Sequence, residues 1–188
     1  MTKAKTKANR TPNLKFTSAP QRRTPWPAVL VGALALALVG VALWARSGGG
    51  TGELGQTFPN QGQEHIAVGA QHPAYNSFPA TSGWHYVQPQ PWGTFVYEVA
   101  PETLIHNLEH GGVVIQYNPA LLKGDVARLE AIQQRFPNKT VVAPNSQLQV
   151  PLALTAWRRL YTLDTLDEAK IVDFTERYKN RAPERLPD

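Results

Sequence analysis

The chain has 188 residues, of which 42% are hydrophobic, and a net charge of +5 with a pI near 9.6. Its first fifty residues hold eight basic residues and no acidic one, so the other eleven basic and fourteen acidic residues give the rest a charge of −3. Because the basicity belongs to a tail, we expect no nucleic-acid-binding face on the globular part. Cysteine is absent and the only methionine is Met1, which excludes disulfides, thiolate metal sites and thioether ligands.

The first predicted element is a transmembrane helix at residues 27–45, a segment without charge. Its nineteen residues would rise about 28 Å as a helix, close to the roughly 30 Å of a bilayer core. Seven basic residues precede it and one follows, which predicts a cytoplasmic tail at 1–26 and an extracytoplasmic C-terminal domain. A cleaved signal peptide is the competing interpretation, but Leu43 and Trp44 stand where small residues would be needed. The predicted localisation is the cell membrane, with a single pass.

After the membrane segment, the Gly-rich stretch 46–57 is predicted to be a flexible linker and 58–188 the extracytoplasmic domain. Residues 58–100 show no sustained period and are rich in Pro and Gly. This pattern predicts a long ordered loop region with short strands near 65–68 and 94–97.

The remaining chain has clear periodicity. It predicts a short helix at 101–110, strands at 113–117, 140–144 and 151–157, and helices at 125–136 and 165–180. Gly111-Gly112 is expected to end the first helix, and Thr165 with Glu168 is expected to form a capping box on the last. The predicted fold class is α+β: a transmembrane helix followed by a small mixed sheet packed by helices, with a thioredoxin-like βαββα core as one specific arrangement.

All five histidines of the chain fall between residues 65 and 110. His106 and His110 are four residues apart, so on a helix they share one face, which Glu109 borders. The string H-x-x-E-H is the inverted zincin motif, a pattern of low specificity when found alone. The glycine pair ends the helix at once, and Glu168 and Glu176 are expected to serve a cap and solvent, which disfavours a protease of that class. The structural alternative is that histidines in a last helical turn interact favourably with the helix dipole.

The loop sequence "PATSGWHY" (79–86) favours a site, because its turn would hold His85 in a fixed place between Trp84 and Tyr86. Three imidazoles would suit zinc or Cu(II), and His65 in "QGQEHI" is the candidate fourth ligand. His72 precedes a proline in a mobile-looking loop and is left out.

Several separated motifs resemble a known family. These are "GQEH" (62–65), "YNSFPATSGWHY" (75–86), "HNLEHGGVVIQY" (106–117), "LTAW" (154–157) and "YKNRAPE" (178–184). In this order they are similar to the bacterial, membrane-anchored family of domains of unknown function numbered 3105, over about residues 58–186. The resemblance implies that His65, His85, His106, Glu109 and His110 belong to the family pattern, whereas His72 does not. It also implies a cytoplasmic tail, one membrane helix and an extracytoplasmic domain.

The chain departs from that pattern at three places. Ala80 and Trp84 stand where proline is common, and Ala182 stands where glycine is common. No candidate ligand is lost, although the loop before His85 is expected to be less rigid than in other members.

The predicted function is binding of a divalent transition metal, zinc or copper, by His65, His85, His106 and His110, with Glu109 orienting an imidazole or, alternatively, acting as a ligand. Three alternatives stay open. They are a metal-dependent hydrolase, a metal-free interaction module of the cell envelope anchored by Trp84, Tyr86 and Trp92, and a pH sensor using the histidines. No organic cofactor is expected, because the sequence has no glycine-rich phosphate loop and no G-x-S-x-G motif.

Overall fold

Eight strands and three helices make up the part of the chain that the structure, a computed structural model, describes: residues 52–123 and 126–184. In chain order they are β1 (Gln56–Thr57), β2 (His65–Ile66), β3 (His85–Tyr86), β4 (Gly93–Thr94), α1 (Pro101–Glu109), β5 (Val113–Tyr117), α2 (Val126–Arg135), β6 (Thr140–Pro144), β7 (Leu152–Ala156), β8 (Arg159–Leu163) and α3 (Glu168–Tyr178).

Six of the strands form one mixed sheet in the order β1-β8-β7-β5-β6-β4. The central strand β5 runs parallel to β6 and antiparallel to β7, so that Ile115 lies opposite both Val142 and Leu154. Strand β4 is parallel to β6, and β8 is antiparallel to both β7 and β1. The other two strands, β2 and β3, form a separate parallel pair.

Helices cover both faces of the large sheet. Successive side chains of a strand point to opposite faces, so one strand contributes to the core on each side. From β5, Val113 and Ile115 pack in a core with residues of α2 and α3. Val114 packs in a second core with Leu104, Ile105 and Leu108 of α1. All five residues of β5 are buried, and this explains why its sequence is apolar at every position but Gln116 rather than alternating.

Most of the predicted elements are confirmed. The strands predicted at 113–117 and 140–144 have those bounds in the structure. Helix α1 begins with a proline in its first turn and ends at Glu109, with His110 as the C-cap. The predicted capping box of α3 is wrong: Asp167 is the N-cap and accepts the N–H of Lys170 at 3.2 Å. Glu168 instead accepts a bond from Arg128 at 2.6 Å.

Strand β8 was missed by the sequence patterns. It forms a hairpin with β7, in which Ala156 pairs with Arg159 across a two-residue loop. That loop lacks the Asn-Gly or Asp-Gly pair that marks such hairpins. Arg158 adopts a φ of 63°, and its N–H donates to the carbonyl of Thr81 at 2.9 Å. A distant contact therefore supports the turn.

The fold-class prediction, which included a transmembrane helix, and the predicted single-pass membrane localisation are corrected by the structure. The described residues form a mixed sheet and three helices, none of which is long and apolar enough to cross a membrane. The longest, α3, has eleven residues, about 16 Å at the usual helical rise, and one face of it packs in the core. The segment predicted to span the membrane, 27–45, and the tail 1–26 lie outside the described residues.

The end of the segment predicted to be a linker contacts the domain. Gln56 and Thr57 pair with β8, and Leu54 packs against the core. The hydroxyl of Tyr178 accepts the N–H of Leu54 at 3.0 Å and lies 3.1 Å from its carbonyl, to which it donates.

Candidate metal centre

The two-stranded sheet brings together two histidines that are twenty residues apart. His65 of β2 and His85 of β3 are register partners in this parallel pair, so both rings lie on the same side of it. Their ring centroids are 4.8 Å apart, in an edge-to-face arrangement. The N–H of His85 also donates to the carbonyl of Glu64 at 3.0 Å, which fixes the two strands to each other.

The loop before His85 is held by several hydrogen bonds. The hydroxyl of Tyr75 donates to the carbonyl of Trp84 at 2.7 Å, and Ser82 Oγ accepts the N–H of Gln61 at 3.2 Å. Gly83 has a φ of +122°, and a Cβ there would lie 3.0 Å from the ring of Tyr75. The Nδ1 atom of His85 is 2.7 Å from the carbonyl oxygen of Gly83. These contacts leave His85 fully buried.

Helix α1 supplies the other side of the cluster from its last turn. His106 Nδ1 lies 2.7 Å from the carbonyl oxygen of Tyr86, and its ring centroid is 5.0 Å from that of His65 and 5.1 Å from that of His85. Burial of the ring lowers the pKa of His106 below its ordinary value, and the charges of the neighbouring histidines lower it further. The imidazole of His106 is therefore neutral at neutral pH and able to act as a ligand.

Glu109 places its carboxylate among these three rings. Its Oε2 atom lies 2.9 Å from His85 Nε2 and 3.5 Å from His65 Nε2. Its Oε1 atom accepts a hydrogen bond from Gln63 Nε2 at 2.7 Å. One ligand atom from each of His65, His85, His106 and Glu109 lies within 4.8 Å of all the others. We call these four residues the histidine–carboxylate cluster.

Hydrogen bonding determines which nitrogen atoms face the centre of the cluster. A carbonyl oxygen only accepts, so the Nδ1 atoms of His85 and His106 must carry protons and donate to Gly83 and Tyr86. A neutral ring with its proton on Nδ1 presents a lone pair at Nε2. In His85 that lone pair would face a carboxylate oxygen only 2.9 Å away. This close approach requires either a proton between the two atoms or a metal ion.

His110, the C-cap of α1, stands beside the cluster rather than within it. Its Nε2 atom is 3.1 Å from His106 Nε2 and 3.2 Å from Glu184 Oε2. Its ligand atom groups instead with those of Glu109 and Glu184, again within 4.8 Å. The structure thus brings all four histidines predicted as ligands into one region, and it places Glu109 in the middle of them.

The fifth histidine is separate. His72 Nε2 lies 3.2 Å from Glu102 Oε1, and its ring packs against Tyr75 with a centroid distance of 4.7 Å. It takes part in neither group of candidate ligands among the described residues.

Three aromatic residues are predicted as anchors for a protein partner. Trp84, Tyr86 and Trp92 are each only partly exposed. Trp92 packs against the core beside α1, and a Cβ on Gly112 would lie 2.5 Å from its ring. The absence of a side chain at Gly112 therefore leaves room for the ring of Trp92.

Sequence patterns missed two members of the region, Gln63 and Glu184. Each lies within a stretch that carries the family resemblance, "GQEH" for Gln63 and "YKNRAPE" for Glu184. The predicted site includes only histidines and Glu109, although the same motifs contain both of these residues.

A cavity of about 380 Å³ lies against the N-terminal half of α1. Its lining includes Tyr75, Phe78, Leu104 and Gln116, but no histidine. It is therefore distinct from the histidine–carboxylate cluster.

The fold and the site together define an αβ domain with a cluster of three histidines and a glutamate, of which His85, His106 and Glu109 are buried and His65 is exposed. The chain belongs to the family described as "Protein of unknown function (DUF3105)", whose model matches residues 67–187. The matched region contains His85, His106, Glu109, His110 and Glu184, whereas His65 lies two residues before it. No curated protein and no solved structure matches the chain significantly.

Proposed function

We propose that the protein binds a divalent transition metal ion through His65, His85, His106 and Glu109. The observation that carries this proposal is the convergence of four ligand atoms within 4.8 Å of one another. Two of the imidazoles are also oriented by backbone carbonyls so that Nε2 faces inward, an arrangement typical of metal-binding histidines.

The donor set favours zinc or Cu(II). Three imidazole nitrogens and a carboxylate oxygen suit metals of intermediate softness, and the chain contains no cysteine. Bonds of about 2.0–2.1 Å in a tetrahedral site place neighbouring ligand atoms about 3.3 Å apart. The distances from Glu109 Oε2 to His85 and His65, 2.9 and 3.5 Å, lie on either side of this value.

Charge burial supports a bound cation. The side chains of His85 and Glu109 are 0% and 1% exposed, and a buried carboxylate is costly unless its charge is compensated. Gln63 donates one hydrogen bond to Glu109, but an amide carries no charge. A divalent ion between the carboxylate and neutral imidazoles would supply the compensation, and Gln63 would then orient the ligating carboxylate.

Four protein ligands that close a coordination sphere favour binding, storage or structural support over catalysis. The competing interpretation of the same geometry is metal-free. In that case a proton lies between His85 and Glu109, and the cluster acts only in stability or in pH sensing. The two interpretations differ in a direct measurement of metal content.

The test is elemental analysis of the purified full chain after dialysis against metal-free buffer, followed by titration with zinc and with Cu(II). We expect tightly held metal in the wild type and in His72→Ala, whose histidine lies outside the cluster. The variants His106→Gln and His85→Gln should lose it. Far-UV circular dichroism confirms that each variant is folded. A wild type that retains no metal and takes up neither ion in titration would overturn the proposal.

Co(II) substitution adds a second measurement of the same site. Four nitrogen and oxygen ligands in tetrahedral geometry give visible absorption bands much stronger than those of six-coordinate Co(II). Such bands in the wild type, lost in His106→Gln but kept in His72→Ala, would support the assigned ligands. Weak bands equal in all three chains would contradict them.

A further inference from the structure

The C-terminal segment of the described chain returns to the end of α1, where the histidine–carboxylate cluster lies. The N–H of Asn180 donates to the carbonyl of Gly111 at 2.8 Å, and the N–H of Glu184 donates to the carbonyl of Glu109 at 3.1 Å. Gly111 has a φ of +78°, and a Cβ there would lie 2.8 Å from the Cα of Asn180. A glycine at this position therefore allows the two backbones to approach each other.

This contact places a second carboxylate next to the cluster. Glu184 Oε2 lies 3.2 Å from His110 Nε2. Glu109, His110 and Glu184 each offer a ligand atom within 4.8 Å of the other two. The group of these three residues and the histidine–carboxylate cluster have only Glu109 in common.

We infer that Glu109, His110 and Glu184 form a second metal position, so that the protein holds a dinuclear centre bridged by the Glu109 carboxylate. This inference rests on the proposed function, because it shares a ligand with the first position. A carboxylate has two oxygens and so can bind two ions at once, and paired metal ions in proteins commonly lie about 3.5–4 Å apart. The Nε2 atoms of His106 and His110 are 3.1 Å apart, so the two positions adjoin each other.

The two positions differ in their exposure to solvent. In the first, the His85 and Glu109 side chains are 0% and 1% exposed and that of His65 is 41% exposed, whereas in the second His110 and Glu184 are 15% and 52% exposed. The second position also has three protein ligands where the first has four. Its ion would therefore keep coordination sites for water, the arrangement that a hydrolytic metal site requires. It should also bind more weakly than the first.

The competing interpretation is that His110 and Glu184 form an ion pair that attaches the C-terminal segment to the helix end. Stoichiometry separates the two. The full chain is stripped of metal, equilibrated by dialysis against buffered zinc at increasing free concentration, and its bound zinc is measured. We expect two zinc ions per chain at saturation, bound in two steps. Glu184→Gln and His110→Gln should reduce saturation to one ion and remove the weaker step.

The matched control is Glu176→Gln, which removes an exposed carboxylate from α3 and should still bind two ions. His106→Gln should weaken the tighter step instead. One ion per chain in both the wild type and Glu184→Gln would overturn this inference and leave the proposed function intact. No bound ion in the wild type would overturn both.

A spectroscopic measurement checks that the two positions are adjacent. With two equivalents of Cu(II), neighbouring ions should show dipolar or exchange coupling in electron paramagnetic resonance, seen as a broadened or weakened signal. Glu184→Gln should give the spectrum of an isolated Cu(II) ion. Two uncoupled signals in the wild type would contradict a shared centre even if the stoichiometry were two.

Discussion

His85 Nε2 and Glu109 Oε2 lie 2.9 Å apart, and the side chains that carry them are 0% and 1% exposed. The Nδ1 atom of His85 is engaged by the carbonyl of Gly83, so the ring cannot donate to Glu109 as a neutral imidazole. The contact therefore requires a proton or a metal ion between the two atoms. This requirement links the local geometry of the loop at residues 79–86 to the chemistry of the cluster.

Glu109→Gln tests whether the glutamate is a ligand or only orients an imidazole. The substitution keeps the shape of the side chain, removes its charge and lets its amide donate to a neutral His85. We expect the zinc affinity to fall by more than about 100-fold, the upper end of the loss found for residues that only orient ligands. The measurement is competition with a chromophoric chelator.

The matched control for that variant is Glu102→Gln, which alters a glutamate on the same helix that contacts His72 outside the cluster. It should leave the zinc affinity unchanged. A Glu109→Gln chain that binds zinc as tightly as the control would show that Glu109 is not a ligand.

Removing the metal should lower the stability of the full chain. A ligand that binds only the native state at about 1,000 times its Kd stabilises by about 4 kcal/mol, and each kcal/mol shifts the melting temperature by ~2–4 °C in a chain of this size. We therefore expect a clear drop on adding a chelator and recovery on adding excess zinc. Thermal melts followed by circular dichroism provide the measurement.

The variant His106→Gln serves as the reference for the chelator experiment. Its melting temperature should be lower than that of the wild type with zinc and should not respond to chelator. A chelator response equal in this variant and in the wild type would place the stabilising metal elsewhere.

The core of the fold could be read from the sequence because its signals are local. Strands β5 and β6 are mostly apolar runs between breaking residues, and α1 begins at a proline and ends before a glycine pair. Strand β8 has no such signal. Its turn depends on Arg158, whose backbone N–H donates to the carbonyl of Thr81 and whose Nε donates to the carbonyl of Phe58. Both partners are far away in sequence.

The candidate site was predicted in outline and differs in its arrangement. Helical spacing placed His106 and His110 on one face, and the structure has their Nε2 atoms 3.1 Å apart. The spacing of residues along the helix does not show which side chain of its last turn enters the cluster. That depends on how α1 packs against β2 and β3. Glu184 lies far from His110 in sequence, and only the return of the C-terminal segment brings them together.

Tyr75→Phe should reduce stability and change its dependence on alkaline pH. Burial, with smaller contributions from the charges of Glu102 and Tyr86, raises the pKa of Tyr75 well above its ordinary value. The stability contribution of this phenol is therefore fully present below the unfolded-state pKa of about 10 and is lost as the pH rises from there through the folded-state value. Loss of its hydrogen bond to Trp84 should cost about 1 kcal/mol at neutral pH.

The measurement for Tyr75 is urea unfolding at neutral pH and at intervals above pH 10. The variant should lose less stability than the wild type across the alkaline range. Tyr97→Phe is the control, because that residue is 55% exposed, and it should keep the pH dependence of the wild type. Identical alkaline profiles for wild type and Tyr75→Phe would contradict the assignment.

Gly111→Ala should displace the C-terminal segment that carries Glu184. Both Gly111 and Gly69 have a positive φ, +78° and +80°, but a Cβ at 69 meets nothing within 4 Å whereas one at 111 lies 2.8 Å from the Cα of Asn180. Gly69→Ala thus measures the backbone strain alone, about 1–2 kcal/mol. Gly111→Ala should lower the free energy of unfolding by about 1–3 kcal/mol more than Gly69→Ala does, as for other overpacked sites. This difference measures the steric clash.

If Glu184 is a ligand of the second position, Gly111→Ala should also remove the weaker step of zinc binding, and Gly69→Ala should retain it. Equal stability losses and unchanged zinc binding in the two variants would mean that the close approach of the segment is not needed for either property.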